Sequence, residues 1–454
     1  MLKDKSLTRR EFIGKTTLLG SAATLAASAT QLRAQLNSGT GPPPSRIRVG
    51  LIGAGIRGQE LLQASREIYG IDHVVACDLY KGHLDRVKEL SDGQIATTGK
   101  YEEVLARQDI DAVILALPDH WHKQALLDSL AAGKHVYIEK PLTHKLEEGD
   151  EMVRAVKKSK KVVQVGSQCV SQPCTQKARD LVASGKLGKV TMIDAQILRY
   201  SSLAACYYPI PPDASEETVD WERFLGSSKR YEFDPKRFFQ WRLFWDYSGG
   251  LSTDLFVHLL SATHHIMGVD EPESVACLAG IYNWKNYREV PDQLCAVVNY
   301  PQEFQLKLTT TVNNGHQGPV ITIYGTEGTL EYGWSWLKYY DEPAQEGFRY
   351  ATKSWSEETA GRYREIMGMD ENMRPLKGRS ARGRQPIEFR EDEGGDSEDT
   401  GHLRTFYDAV RNGSKPVEDI VFGNNAARVA HMANMSFKEG KVVRWNSKSR
   451  KVEV

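Results

Sequence analysis

The sequence predicts an α/β protein in two parts: a doubly wound parallel sheet over residues 46–168, then an α+β domain with a mainly antiparallel, open sheet over 169–454. Three observations carry this expectation. Apolar strand-like runs alternate with helix-like stretches through the first part, the pattern of β-α-β units in a parallel sheet. The first such run ends in a glycine turn, Gly53-Ala54-Gly55-Ile56-Arg57-Gly58. Beyond Gln168 the strand-like runs crowd together with fewer helices between them, as they do where strands pair antiparallel.

The N-terminus stands apart from the fold. Twin arginines, Arg9-Arg10, precede a modestly apolar stretch from Thr16 to Ala27 and a small-residue site, Ala27-Ser28-Ala29. Residues 1–34 therefore look like a twin-arginine export signal, read by the Tat translocation machinery. Periplasmic localisation follows as an expectation. Residues 35–45 contain Gly39-Thr40-Gly41-Pro42-Pro43-Pro44 and read as a linker. The folded chain is expected to begin near Arg46.

Ile47 to Ile52 reads as the first strand and Gln59 to Ile68 as the first helix, so the glycines between them have physical jobs. Gly53 makes the tight turn, Gly55 lets backbone approach a pyrophosphate, and Gly58 lets helix and strand pack closely. The helix N-terminus, at Ile56 and Arg57, offers unpaired N–H groups to the phosphates. A second run, His73 to Cys77, ends in Asp78, twenty residues after Gly58. An acid there accepts hydrogen bonds from the adenosine ribose, which favours NAD. Lys81, three residues on, leaves NADP open. The domain is thus expected to be a Rossmann dinucleotide-binding domain.

Helix-like stretches from His83 and Tyr101 follow, then the strand Ala112 to Leu117, which stops at Pro118. A helix from Lys123 to Ala132 leads to the strand Lys134 to Ile138 and then Glu139-Lys140-Pro141. Helix Glu147 to Lys158 and strand Lys161 to Gly166 complete the alternation at Gln168. In the second domain, strands are expected at 190–198, 274–281, 293–299, 304–312 and 320–324. A charged, glycine-rich region from Glu342 to Asp399 reads as long surface loops, and 401–411 and 424–439 as closing helices.

Composition removes several function classes. Lysine plus arginine equals aspartate plus glutamate, 59 each, which argues against nucleic acid. No internal apolar run reaches the ~18 residues of a membrane span. Six cysteines are few for this length; Cys77, Cys277 and Cys295 fall in apolar runs and read as buried thiols. Cys169 and Cys174 are the one close pair, and a bridge between them stays open. His120 and His122 lack an evident third ligand, so no metal is expected.

Two constellations could carry chemistry. Lys140 closes a strand at the carboxyl edge of the sheet, where open α/β sheets bind ligands, and it could donate to a hydroxyl or carbonyl oxygen. Asp254 and His258, after Gly249-Gly250, share one face if 251–267 is a helix; an ordinary side-chain contact is the alternative. Arg199, Tyr200, Arg237, Trp241, Arg242 and Trp245 gather aromatic faces and guanidinium donors that suit a sugar ring, or equally a packing cluster.

In this order, the glycine turn, Leu117-Pro118-Asp119-His120-Trp121-His122, Val136-Tyr137-Ile138-Glu139-Lys140-Pro141 and Gly249-Gly250 with Asp254 and His258 resemble the Gfo/Idh/MocA oxidoreductases. That family is named partly for glucose–fructose oxidoreductase and inositol dehydrogenase. The similarity runs from Arg46 to Trp445. It implies that Lys140 is catalytic, that the Lys140–Pro141 bond is cis, that His258 takes the hydroxyl proton and that Asp254 orients it. It also implies cofactor contacts from Pro118, His122, Glu139 and Gln168, a carbohydrate substrate, and a homodimer or homotetramer. Export implies a tightly held NAD recycled by a second substrate. Two other readings remain: an NAD-dependent, redox-cycling glycosidase or lyase working through a keto-sugar, and a non-catalytic cofactor-binding protein. The N-acetylgalactosaminide-cleaving group of the family lacks Glu-Lys-Pro, which counts against that one activity.

Overall fold

The computed structural model describes residues 46–342, 348, 350–371, 373, 386–391 and 396–453. The leader and linker of residues 1–45 lie outside them, as does part of the 342–399 region.

The first half runs β1 (Ile47–Ile52), α1 (Ile56–Arg66), β2 (Ile71–Cys77), α2 (Lys81–Leu90), β3 (Ala96–Thr98), α3 (Tyr101–Ala106), β4 (Ala112–Leu115), α4 (Asp119–Ala131), β5 (His135–Glu139), α5 (Glu148–Ser159) and β6 (Val163–Gly166). The strands lie in the order 3-2-1-4-5-6, and each neighbouring pair is parallel. This is the doubly wound arrangement, with its ligand crevice at the carboxyl ends of β1 and β4, where the winding reverses. Helices cover both faces, so β4 is an unbroken apolar run, Ala-Val-Ile-Leu, with every residue fully buried. On one face Leu61 of α1 packs with Val49, Leu51 and Ile114; on the other Leu126 of α4 and Met152 of α5 pack with Val113 and Val136.

The second half runs α6 (Pro173–Ala183), β7 (Val190–Leu198), α7 (Trp221–Leu225), α8 (Pro235–Phe239), α9 (Val257–Met267), β8 (Ser274–Gly280), β9 (Gln293–Tyr300), β10 (Phe304–Thr311), β11 (Ile321–Gly325), β12 (Gly328–Gly333), β13 (Trp336–Asp341), α10 (Glu357–Met367), β14 (Ile387–Arg390), α11 (Glu398–Asn412), α12 (Ile420–Glu439), β15 (Val443–Asn446) and β16 (Lys451–Glu453). Its strands form one sheet in the order 14-13-12-11-7-10-9-8-15-16. Only the β7–β10 pair is parallel; the others are antiparallel. Helices α6, α9 and α12 cover one face. The other is open, and β9 alternates strictly between them, Leu294, Ala296 and Val298 inward, Gln293, Cys295 and Val297 outward.

Several expectations change here. Cys295 is exposed rather than buried, because its place in the two-residue alternation points it to the open face. Cys169 and Cys174 are both buried free thiols. The 342–399 region is not all loop: it contains α10 and β14. Strands β12 and β13, a hairpin bounded by glycines, were not anticipated. Helix α11 does not stay with the second half: Leu403, Phe406 and Tyr407 complete the core beneath α1 and β1. Packing therefore crosses the division expected at residue 168.

Candidate active site

A cavity of about 830 Å³ runs from the glycine turn to Lys140, Asp254 and His258, toward the upper part of the ~300–1,000 Å³ span of small-molecule sites. At one end the three glycines differ in what surrounds them. Gly53 has φ +92°, and a Cβ there would lie 2.2 Å from Ala116 O; at Gly58 it would lie 2.0 Å from Gly53 O. Backbone packing alone demands these two. At Gly55 an added Cβ meets only His83 Cε1, at 3.6 Å, so the space beside it is open to the cavity. Helix α1 begins there with no side-chain cap and no acidic residue in its first turn. The partial positive charge of the helix end is left for an anion.

Asp78 ends β2 at the same crevice. Its carboxylate accepts from Ala54 N (2.7 Å) and Tyr80 N (2.9 Å) and lies 3.1 Å from His83 Nδ1. Burial works to raise its pKa, but His83 and these N–H donors outweigh it and hold it below the usual carboxylate range. The acid is ionised, fixed in orientation and lines the cavity. An open Gly55, an uncapped helix and an ionised acid at the end of β2 fit a dinucleotide's pyrophosphate and ribose.

At the other end, Lys140 Nζ donates to Asp254 Oδ1 (2.8 Å) and to Asp254 O (2.9 Å), leaving one of its three N–H groups for the cavity. The Lys140–Pro141 bond is cis. Asp254 is not on a regular α-helix: Ser252–Phe256 form a π-helical turn that feeds α9, a feature frequent at functional sites. Burial opposes ionisation of Asp254, yet Lys140 and the Arg242 guanidinium, 3.6 Å away, hold its pKa far below the usual range. His258 opens the first turn of α9 and lines the cavity. Burial and then the Lys140 charge push its imidazole well down, so it is neutral, with a free base function, at ordinary pH.

Glu139, Arg57 and Gln168 line the same wall but are turned largely toward one another. Arg57 Nε donates to Glu139 Oε1 (3.0 Å), and its Nη1 and Nη2 donate to the two oxygens of Asp399 (2.8 and 2.6 Å) on α11. Gln168 Nε2 donates to Glu139 Oε1 at 3.3 Å and Tyr137 OH at 3.2 Å. Pro118 and the 64%-exposed Ile56 present apolar surface. His122 departs from expectation. Its ring is fully buried, with Nδ1 2.7 Å from Pro141 O and Nε2 2.9 Å from Leu117 O. It therefore stands behind the wall and braces the two segments that carry Pro118 and Lys140, because both ring nitrogens already face carbonyls.

The remaining histidines and aromatics sort themselves by contact. His120 bonds Phe224 O, and His264 and His265 bond Tyr300 and Gln176. Among the described residues no three His, Cys, Asp or Glu converge as a metal requires. Of the aromatic–arginine group, Arg199, Trp241 and Arg242 line the cavity with Tyr208. Arg237 is tied instead to Asp246 and Glu289, and Trp245 to Glu289. Sequence reasoning missed Asp119. It lines the cavity at 3% exposure, and its Oδ2 accepts from Gly249 N at 3.2 Å. Its signal was present, an acid directly after Pro118, the proline beyond the carboxyl end of β4. Asp399, 342 residues from Arg57, left none.

Comparison with known proteins agrees with this geometry. Residues 47–167 match a family described as an oxidoreductase family with an NAD-binding Rossmann fold, and 218–444 match its C-terminal alpha/beta domain. The uncharacterized oxidoreductase YrbE of Bacillus subtilis is 26% identical over 291 residues, 63% of this chain and 73% of that one. A glycosyl hydrolase family 109 protein of Shewanella sp. (strain ANA-3) is 32% identical over 128 residues, 26% of this chain and only 28% of that protein. Among solved structures, a levoglucosan dehydrogenase in complex with NADH and levoglucosan aligns over 88% of this chain and 99% of its own, with TM-score 0.64 and 17% identity. The aldose–aldose oxidoreductase of Caulobacter crescentus, complexed with glycerol, aligns over 88% and 99%, with TM-score 0.62 and 16% identity. At those identities the structures show a shared fold. Both domain matches, joined by a dinucleotide crevice that ends in a half-buried Lys–Asp pair, lead to one conclusion: the chain belongs to the Gfo/Idh/MocA family of NAD-dependent oxidoreductases.

Proposed function

We propose that this protein is an exported oxidoreductase that moves a hydride between a hydroxyl-bearing carbon of a sugar or sugar derivative and NAD. The observation that carries the reading is the Lys140–Asp254 pair at 2.8 Å with His258, all facing one cavity that reaches back to the glycine turn. When bound, NAD supplies the hydride acceptor or donor. The chain's own residues position the sugar and handle the proton. Lys140 directs its remaining N–H at the substrate oxygen. His258, neutral and facing the same space, accepts the hydroxyl proton on oxidation and returns it on reduction. Asp254 holds Lys140 in its aim through the 2.8 Å contact, and it gives the protonated His258 a nearby negative charge.

Gly53, Gly55 and Gly58 shape the turn for the pyrophosphate, Asp78 takes the ribose, and its negative charge favours NAD over NADP. Ile56 and Pro118 face the cofactor, while Arg57, Glu139, Gln168 and His122 hold the wall. Relatives whose names record sugars, levoglucosan and aldoses, support the substrate class. The twin-arginine leader supports export with cofactor already bound, because that system carries folded proteins.

The test is a spectroscopic scan of purified protein followed by a panel of sugars. Bound nicotinamide reduced by one sugar is the expected result, with Lys140→Ala lowering turnover ~10²–10⁴-fold while keeping the cofactor. Unchanged turnover in that variant would sink the mechanism. The partial match to the family 109 hydrolases favours a second reading, redox-cycling glycoside cleavage. Breakdown of a glycoside with no net change in nicotinamide would identify it. Export is checked by fractionation: Arg9→Lys with Arg10→Lys should hold the protein in the cytoplasm.

A further inference from the structure

Of the four arginines among the described residues that line this cavity, two are held by carboxylate hydrogen bonds. Arg57 is held by Glu139 and Asp399, and Arg223 by both oxygens of Glu102. Two arginines at the Lys140 end break that pattern. Arg242, in the short turn 241–243, stacks on Trp241 with its guanidinium 4.2 Å from the ring centroid. Its nearest carboxylate is Asp254, at 3.6 Å, and it makes no hydrogen bond among the described residues, although its side chain is only 27% exposed. Asp254 Oδ1 is shared with Lys140, which donates to it at the shorter distance of 2.8 Å. Arg199 follows β7, an element of the second sheet, and lines the same cavity. Only its backbone is engaged, N–H to Thr311 O at 3.0 Å; its side chain has no hydrogen bond or ion pair among the described residues. The Arg242 guanidinium lies 5.9 Å from the Tyr208 ring centroid, and Arg199 lines the same cavity wall.

The local charge is unbalanced. Lys140, Arg199 and Arg242 face two carboxyls, Asp254 and Asp119. A sugar with hydroxyls alone would leave this excess uncompensated and give the guanidinium donors only weak, uncharged acceptors. The cofactor's pyrophosphate is no substitute, since the open Gly55 and the uncapped helix place it at the opposite end.

The geometry points to a substrate sugar that carries an oxyanion (a carboxylate, sulfate or phosphate substituent), gripped by the Arg242 guanidinium with Arg199 closing on it. The inference rests on the sugar oxidoreductase reading and narrows its substrate. A guanidinium presents two parallel N–H groups that match two oxygens of such a group. The Trp241 ring, 4.2 Å from the guanidinium, restrains that fork before the ligand arrives, so less order is lost on binding.

Binding and turnover are measured separately on the full-length protein with its cofactor. Glucuronate is compared with glucose, galacturonate with galactose, and glucose 6-phosphate and glucose 6-sulfate with both, by calorimetry at low and high salt. At least one charged sugar should bind tenfold or more tightly than its neutral counterpart, with the preference shrinking at high salt. The winning member names the oxyanion. Arg242→Gln should cut the preference at least tenfold and Arg242→Lys should keep part of it. Arg199→Glu, at an exposed position with little risk to folding, should lower it as well. Neutral sugars binding as tightly as charged ones, or Arg242→Gln weakening both equally, would overturn the inference. A charged sugar that binds through Arg242 yet never reduces the nicotinamide would instead sink the oxidoreductase reading. Neutral sugars that reduce it with no charged preference would leave that reading standing and remove this one.

Discussion

Asp119 and Asp254 face one cavity, yet their surroundings drive them in opposite directions. Asp254 has two cations beside it and stays ionised. Asp119 is pushed from 3.8 up to about 6, chiefly by burial, against the lowering pull of His144, Arg242 and the Gly249 N–H. A carboxyl whose pKa is higher in the fold than in the unfolded chain favours the fold when protonated. That contribution is complete below about pH 3.8 and is lost as the pH rises through about 6. Asp119→Asn should therefore stabilise the protein at pH 7.5, by roughly 3 kcal/mol at most, since the amide oxygen can still accept from Gly249 N. Thermal melts between pH 4 and 8 check this: the wild type should lose stability across pH 4–6 from this group, and the variant should not. His258 has the opposite sign. Its depressed pKa makes it neutral throughout the neutral range, so kcat/KM should show no limb near pH 6.5 that His258→Gln removes.

At the scale of one element, the glycine turn separates two kinds of requirement. Gly58→Ala drives a Cβ into Gly53 O. It should cost several °C of melting temperature, because backbone at both ends of the contact must shift. Gly55→Ala meets only ordinary van der Waals contact in the fold, and its φ of −67° suits any residue. The variant should melt like wild type and yet lose bound nicotinamide, since the methyl occupies the space where the pyrophosphate approaches. Absorbance of the purified variants together with their melts distinguishes the two. If Gly55→Ala retained cofactor and Gly58→Ala melted normally, this account of the turn would be wrong. The π-helical turn at Ser252–Phe256 belongs to this scale as well. It sets the entry to α9 just where Asp254 must meet Lys140 from the other sheet.

For the whole molecule, the Arg57–Glu139–Asp399 contacts tie three distant segments together. Arg57 stands in the cofactor turn, Glu139 precedes the catalytic Lys140 of the proposed mechanism, and Asp399 begins α11, whose Phe406 and Tyr407 close the first core. Each is partly or fully shielded from water, at 27%, 7% and 25% side-chain exposure. Asp399→Asn should cost on the order of 1.5–3 kcal/mol, the usual scale for hydrogen bonds to charged groups. It should lower kcat more than it changes the KM for sugar, because it loosens the wall behind Lys140 rather than a substrate contact. Denaturant melts and steady-state kinetics on the one variant test both halves. An equal loss in Phe406→Ala, which removes core packing without touching the ion pairs, would show that only the docking of α11 matters.

The alternation of helices with five of the first six strands, the glycine turn, Asp78, Lys140 and the Asp254–His258 pair were legible in the sequence because each is a local pattern: apolar periodicity, glycine spacing, a short motif, or two residues four apart. The three-residue β3 and the order of the strands across the sheet were not. Cys295 was misread because a short apolar run does not reveal which alternate positions face the core. The hairpin of β12 and β13 fell between the last expected strand, ending at 324, and the charged region from Glu342, where no strand was expected. Tertiary structure alone decided that His122 braces the wall instead of lining it, that Arg57 is claimed by a carboxylate 342 residues away, and that the Arg242 side chain has no hydrogen bond among the described residues. Those outcomes depend on which distant groups share a small volume once the chain has packed, and no spacing along the sequence encodes that.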